Sequence, residues 1–230
     1  MPRLFLSLFM LVTSAAQALP VEWSNVTYTT SAFAEVGDDS DGINAHSSPP
    51  TARPLFSHAD VLGADTSVKE FATADAIADD GLLSVATEVR GKIHHAGAVA
   101  EASLAAQLST PGAYLLQLAF DDTLDLLGGD AGAVLGLALS VGSQTLFDEV
   151  FTSSAEIARM FVLAPGELAL LHVSLISTAD GFANGASVDL YGFNLASVNV
   201  ALTAVPSPSP LALIGAALLP MIRLRRSRRV

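Results

Sequence analysis

The chain has 230 residues, with 11 Lys and Arg against 23 Asp and Glu and a net charge of −12. It contains no cysteine, which excludes disulfides, thiolate metal sites and cysteine nucleophiles. Apolar residues make up 51% and charged residues 15%, which excludes a wholly disordered chain. The charges are segregated. Every acid lies between Glu22 and Asp189, and only Arg53, Lys69, Arg90, Lys92 and Arg159 oppose them in that stretch. A body this acidic cannot neutralise phosphates, so nucleic acid is excluded as a partner.

In chain order, the first predicted element is an export signal. Arg3 precedes an apolar run from Leu4 to Val12, and Ala16-Gln17-Ala18 follows. A basic start, a short apolar stretch and a small-residue cleavage site define a secretory signal peptide over 1–18, cut after Ala18. This helix would hand the chain to the general secretion machinery.

Residues 19–204 read as an all-β body, because short apolar runs are interrupted by Gly, Asp, Asn and Pro. The stretch 21–30, rich in Val, Thr, Tyr and Trp, predicts a first strand. The stretch 37–54 is rich in Asp, Ser, Gly and Pro and predicts a loop. A strand is expected over 82–90, while the Ala-rich stretch 97–108 fits a helix or a strand. Further strands are expected over 112–120, 133–141, 144–151, 158–163, 167–177, 187–193 and 195–204. Gly142-Ser143 predicts a type II′ hairpin turn. About nine short strands predict an antiparallel β-sandwich, jelly-roll-like.

Candidate chemistry in the body is sparse. Asp39 and Asp41, with Asp38, Gly42 and Asn44, suggest a calcium loop. Alignment on Gly42 puts Gly37 and Ser48 where an EF-hand needs an oxygen side chain and a bidentate Glu, so that motif fails and only a looser site or a solvated acidic loop remains. Asp121, Asp122, Asp125 and Asp130 form a second oxygen-rich cluster, read as a polar turn with a weak calcium site as the alternative. His94 and His95, as strand neighbours, would point to opposite faces, and His46, His58 and His172 lack zinc spacing. No nucleophile elbow or zinc-protease helix occurs. Asp148 and Glu149 would serve glycoside hydrolysis only across a cleft from a partner. No catalytic residue and no cofactor is expected, and the chain reads as a non-enzyme.

The C-terminus has three parts. Val205-Pro206-Ser207-Pro208-Ser209-Pro210 cannot continue a helix or a central strand. An apolar run from Leu211 to Ile222 follows, then Arg223, Arg225, Arg226, Arg228 and Arg229. A 12-residue helix spans about 18 Å against about 30 Å of hydrocarbon, so it suits a transient stop or a weak anchor. The Arg cluster would stay cytoplasmic and leave the body on the other side.

This tail, with Val205-Pro206-Ser207-Pro208 beside Leu211-Ala212-Leu213-Ile214-Gly215 and the Arg cluster, resembles the PEP-CTERM sorting signal of Gram-negative bacteria. Ser207 stands where that signal has Glu. The body is more loosely similar to the sandwich domains of such proteins over 112–120 and 133–151. The resemblance implies recognition of the Pro motif by an exosortase-type membrane enzyme. It also implies an inner-membrane intermediate, a short C-terminal transmembrane helix over part of 205–230, and a final place at the cell surface or in the extracellular matrix, with extracellular polysaccharide as a further partner. The expected function is that of an exported structural or interaction module. The alternatives are a calcium-assisted carbohydrate-binding sandwich and, behind it, a secreted hydrolase.

Overall fold

A computed structural model describes residues 19–47, 54–63, 69–92, 94–181 and 190–206. The signal segment with Ala16 and Ala18, and the tail from Ser207 through Pro208 to the Arg cluster, lie outside the described residues.

The described chain is built of strands: β1 (Leu19–Pro20), β2 (Ser24–Val36), β3 (Asp39–Ser47), β4 (Leu55–Leu62), β5 (Phe71–Asp79), β6 (Leu82–Gly91), β7 (Ala96–Leu108), β8 (Gly112–Leu127), β9 (Asp130–Val141), β10 (Gln144–Phe151), β11 (Ala155–Leu163), β12 (Ala169–Gly181) and β13 (Leu190–Val205). They form two antiparallel sheets. The first runs β11-β8-β13-β6-β5-β4, with β1 added beside β13, and the second runs β10-β9-β12-β7-β2-β3. The sheets pack face to face: β2 against β4 and β5, β7 against β5 and β6, β12 against β6 and β13. The all-β sandwich expected from the sequence is the fold observed.

Alternation builds the core. In β12, Leu171, Val173 and Leu175 point inward while His172 is exposed. The filling changes across the sandwich. Towards β10 and β11 the inward positions carry Leu116, Leu118 and Phe120 on β8 and Leu135, Leu137 and Leu139 on β9. Towards β3 and β4 they are alanines: Ala72, Ala74, Ala76 and Ala78 on β5, and Ala96, Ala98, Ala100 and Ala102 on β7. Small side chains let the layers approach. Cα atoms of β2 come within 8 Å of those of β4 and β5 in the facing sheet. Two short hydroxyls then bridge the layers directly, Thr30 Oγ1 to Ser57 Oγ at 2.8 Å. A second polar bridge runs from Thr87 to Ser177 at 2.8 Å and from Ser177 Oγ to Asn194 Oδ1 at 2.7 Å.

Several local expectations are corrected. The stretch 37–54 is not all loop, since β3 occupies most of its first half and Gly37-Asp38 is the two-residue turn of the β2–β3 hairpin. Strands β4 and β5 were not expected, nor was their link to β6 through Asp80-Gly81. Both of those residues take positive φ, +30° and +82°, as a type I′ turn requires. Of the alternatives for 97–108, the strand is the one formed. The acidic stretch after Phe120 is not a turn but the second half of β8, and the last two expected strands are one strand, β13. At Gly142-Ser143 the hairpin forms as expected, with φ +58° at Gly142 and positive φ only there.

Candidate functional site at the end remote from the termini

The two described ends of the body meet. Leu19 pairs with Ala204 and Pro20 with Thr203, and Val21 N–H donates to Leu202 O at 3.1 Å. Val205, the first residue of the expected sorting motif, still pairs with Ala113 in β8, and Pro206 is exposed immediately beyond. The motif therefore begins where the sheet stops. Strand β13 is central in its sheet, so its 16 residues, about 50 Å of extended chain, separate this end from the other.

The opposite end brings together several charged and ring-bearing side chains. Glu70, just before β5, is 2% exposed. Its Oε1 accepts from the backbone N–H groups of Lys92 and His94, both at 2.8 Å, and its Oε2 meets His94 Nδ1 at 2.8 Å. Such a carboxylate can remain buried because donors surround it. His95 lies over Gly97, with Nε2 2.6 Å from Asp180 Oδ2 and Nδ1 3.4 Å from Glu35 Oε1. These two histidines are thus held by different carboxylates.

The outer face of the first sheet holds a second group at the same end. Cross-strand register places Leu62, Phe71, Arg90 and Tyr191 in one line, and Asp60, Thr73, Glu88, Phe193 and Asp125 in the next. Burial, then the neighbouring Glu88 carboxylate and its hydrogen bond, then Asp125, push the Tyr191 hydroxyl above its ordinary pKa. Nearer the β3–β4 edge, the Phe56 and His58 rings stack with centroids 6.1 Å apart. His58 Nδ1 sits 2.7 Å from Asp75 Oδ1 and its Nε2 3.3 Å from Asp60 Oδ1.

The sequence-predicted residues fare unevenly. Asp39 and Asp41 lie in a strand rather than a loop. Asp41 accepts from Gly42 N–H at 2.9 Å and from Asp60 N–H at 3.3 Å, which ties β3 to β4. Among the described residues no group of three or more His, Asp or Glu could hold a metal ion. Asp122 accepts from Asn194 Nδ2 at 2.6 Å and so belongs to the buried polar bridge. Glu149 is engaged by Arg159, Nε to Oε1 at 2.8 Å and a second guanidinium nitrogen to Oε2 at 2.5 Å. Of the one tryptophan and three tyrosines of the chain, Tyr28 and Tyr114 are buried and Trp23 packs against the core. Only Tyr191 belongs to the outer face. Its companions Phe71 and Phe193 could not be grouped with it, because strand register is not written in linear spacing.

No family model and no curated protein matches the chain. Among solved structures, a GH31 alpha-xylosidase from Xanthomonas citri aligns at 7% identity over 76% of this chain and 33% of its own, with a TM-score of 0.22. The chain thus spans about a third of that enzyme's length. The infectious bursal disease virus Gt strain structure aligns at 14% identity over 91% of this chain and 75% of its own, with a TM-score of 0.15. A mutant VP2 protein of the same virus aligns at 12% identity over 90% and 72%, with a TM-score of 0.15.

Proposed function

We propose that the sandwich is the cargo of an export-and-sorting route and acts as a non-enzymatic structural or interaction module at the cell surface or in the matrix. The general secretion machinery takes the signal over 1–18. An exosortase-type membrane enzyme reads Val205, Pro206, Ser207 and Pro208, while the Arg cluster stops translocation at the inner membrane. The observation that carries this reading is the pairing of Leu19 with Ala204. Leu19 and Pro206, the described residues next to the two expected address segments, lie at one corner of the body. Removal of the tail beyond Pro206 leaves β13, which ends at Val205, whole.

The connectivity supports the finer jelly-roll reading. Strands β6 to β13 arrange as β6-β13-β8-β11 in one sheet and β7-β12-β9-β10 in the other. Successive crossings thus fill both sheets from two nested hairpin ribbons. Strands β2 to β5 then extend the sandwich on one side.

The test is the C-terminal mass of the protein produced with and without the membrane enzyme. Loss of the Arg cluster only in its presence is expected. Identical masses in the two hosts reject the processing step.

A further inference from the structure

We infer that the edge strand β11 is a pairing site for the same strand of a second copy of the chain, the two running antiparallel about a two-fold axis at Met160. The inference goes beyond the sorting reading and does not depend on it.

An edge strand bonds its neighbour on one side and leaves its other N–H and C=O groups without a strand. The two sheets end in β4, β11, β3 and β10. Three of these ends are blunted. Cα atoms of β3 come within 8 Å of those of β4 in the other sheet, and Asp41 Oδ2 accepts from the Asp60 N–H at 3.3 Å, so that side of the sandwich is closed. Strand β10 is interrupted by a register shift between Thr145 and Phe147 and carries Asp148 and Glu149. Strand β11 has none of these devices. It follows β8 from Ala155 to Leu163 without a register shift and holds no Pro, Gly or Lys. Its one acid, Glu156, lies at the start of the strand. Ala158, Met160 and Val162 point outward from the core, with Met160 64% and Val162 69% exposed. A side chain engages one carbonyl of the strand, Ala158 O, from Arg159 Nη1 at 3.0 Å.

Backbone groups on an edge select an extended chain, and the side chains select which one. A two-fold axis perpendicular to the sheet sets residues of one face opposite each other, so it passes through a residue and not between two. At Met160 it pairs 157–163 of both copies. Ala158 of one copy then faces Val162 of the other, Met160 faces Met160, Ile157 faces Leu163 and Arg159 faces Phe161. No like charges stand opposite, and each Arg159 is already neutralised by Glu149. An axis at Arg159 would set two guanidinium groups against each other, and one at Ala158 would set Glu156 against Met160. The near part of the tail is no substitute, because Pro206, Pro208 and Pro210 lack the N–H donors of a ladder. A paired stretch about 24 Å long, across two layers about 10 Å apart, covers a few hundred Å² per copy. That is below the roughly 800 Å² per partner of a standard interface, so the dimer is reversible.

The experiment uses the full chain in a zwitterionic detergent and exploits its lack of cysteine. Met160→Cys puts two thiols on directly opposed residues, within the about 4.4–6.8 Å Cα separation that a disulfide spans. Ala158→Cys and Val162→Cys each leave like thiols about 14 Å apart along the seam. Under diamide, Met160→Cys should cross-link at least about tenfold faster than either. Sedimentation over about 1 μM to 1 mM should show the parent exchanging between monomer and dimer, and Met160→Lys should raise the dissociation constant at least about tenfold with Tm unchanged. Should Met160→Cys lose its cooperative melt, the Met160→Lys comparison decides alone. The inference is overturned if the parent stays monomeric throughout, if Met160→Lys leaves a dimer intact, or if the three thiols cross-link at one rate. A monomer whose β11 amides exchange slowly would give the edge to another occupant, the apolar run 211–222 among them, and would overturn it as well. Uncut tail in the enzyme-bearing host would overturn the sorting reading and leave this result untouched.

Discussion

Leu19 and Ala204 lie opposite each other in an antiparallel pair, at the corner of the sheet where Val205 also meets Ala113. The last strand is therefore pinned on both sides up to the residue where the proline motif starts. A chain ending at Pro206 keeps all of these pairs. A chain ending at Leu202 loses Thr203 to Val205 and with them the partner of β1. Thermal melts should leave the first variant's Tm within error of the unprocessed protein and lower the second by several degrees. Equal melting of the two would show that the strand end adds nothing.

Arg159 and Glu149 form a two-point bridge between β11 and β10, the outermost strands of opposite sheets. Planar guanidinium and carboxylate match, so this pair belongs at the upper end of surface ion pairs, about 0.5–1 kcal/mol. Arg159 holds the Glu149 carboxyl below its ordinary pKa by hydrogen bond and charge. Its stabilisation is complete above the unfolded carboxyl value and is lost as pH falls through the lowered folded value. Glu149→Gln should lower Tm by about 1–4 °C at neutral pH, and the gap to the parent protein should close in strong acid. A gap that persists there assigns the effect to packing rather than charge.

Legibility in the sequence followed side-chain size. Strands filled with leucine, such as β9 and β12, announced themselves through large apolar residues at every second position, Leu135, Leu137 and Leu139 in one and Leu171, Val173 and Leu175 in the other. Strand β5 did not. Its inward residues are Ala72, Ala74, Ala76 and Ala78, and its outward ones include Thr73 and Asp75, so the period of two carries little contrast in hydrophobicity. Alanine also has poor strand propensity, and only the close facing layer makes it sufficient as core. The same ambiguity left 97–108 open between helix and strand. Strand β3 was hidden by polar composition, because at the edge of the sandwich even inward positions such as Asp41 bind a neighbouring backbone instead of entering a core. The outer-face group failed to appear for a different reason. Phe71, Arg90 and Tyr191 are far apart in sequence and are brought together only by the register of three strands.

His58 gives the fold a second pH dependence, of opposite sign. The hydrogen bond to Asp75 comes first among the causes that raise its pKa. Burial works against it, and the charges of Asp75 and Asp60 add to it. A raised folded value means the contribution is fully present below the unfolded histidine value and disappears as pH climbs through the folded one. The pair is nearly half exposed, so the effect is about a few tenths of a kcal/mol. Melting curves of the parent and His58→Gln should differ most near pH 5 and converge above neutrality. A difference that does not change with pH would show that the ring acts through its stack on Phe56 instead.

Thr30 and Ser57 test the close approach of the layers. Both are essentially buried, their hydroxyls are 2.8 Å apart, and Ser57 Oγ also lies 3.2 Å from the Thr30 carbonyl. Thr30→Val removes one hydroxyl at nearly constant shape, and Ser57 retains the carbonyl as an acceptor, so the cost should be small. Ser57→Ala instead strands the Thr30 hydroxyl in a dry interface, and leaving such a group unsatisfied costs about 1–3 kcal/mol. The double variant removes both hydroxyls and leaves no orphan, so it should be no less stable than Ser57→Ala alone. Urea unfolding of the four proteins measures this cycle. Strictly additive losses would mean that the hydroxyls do not meet and that the alanine-lined half of the sandwich is wider than the backbone separation implies.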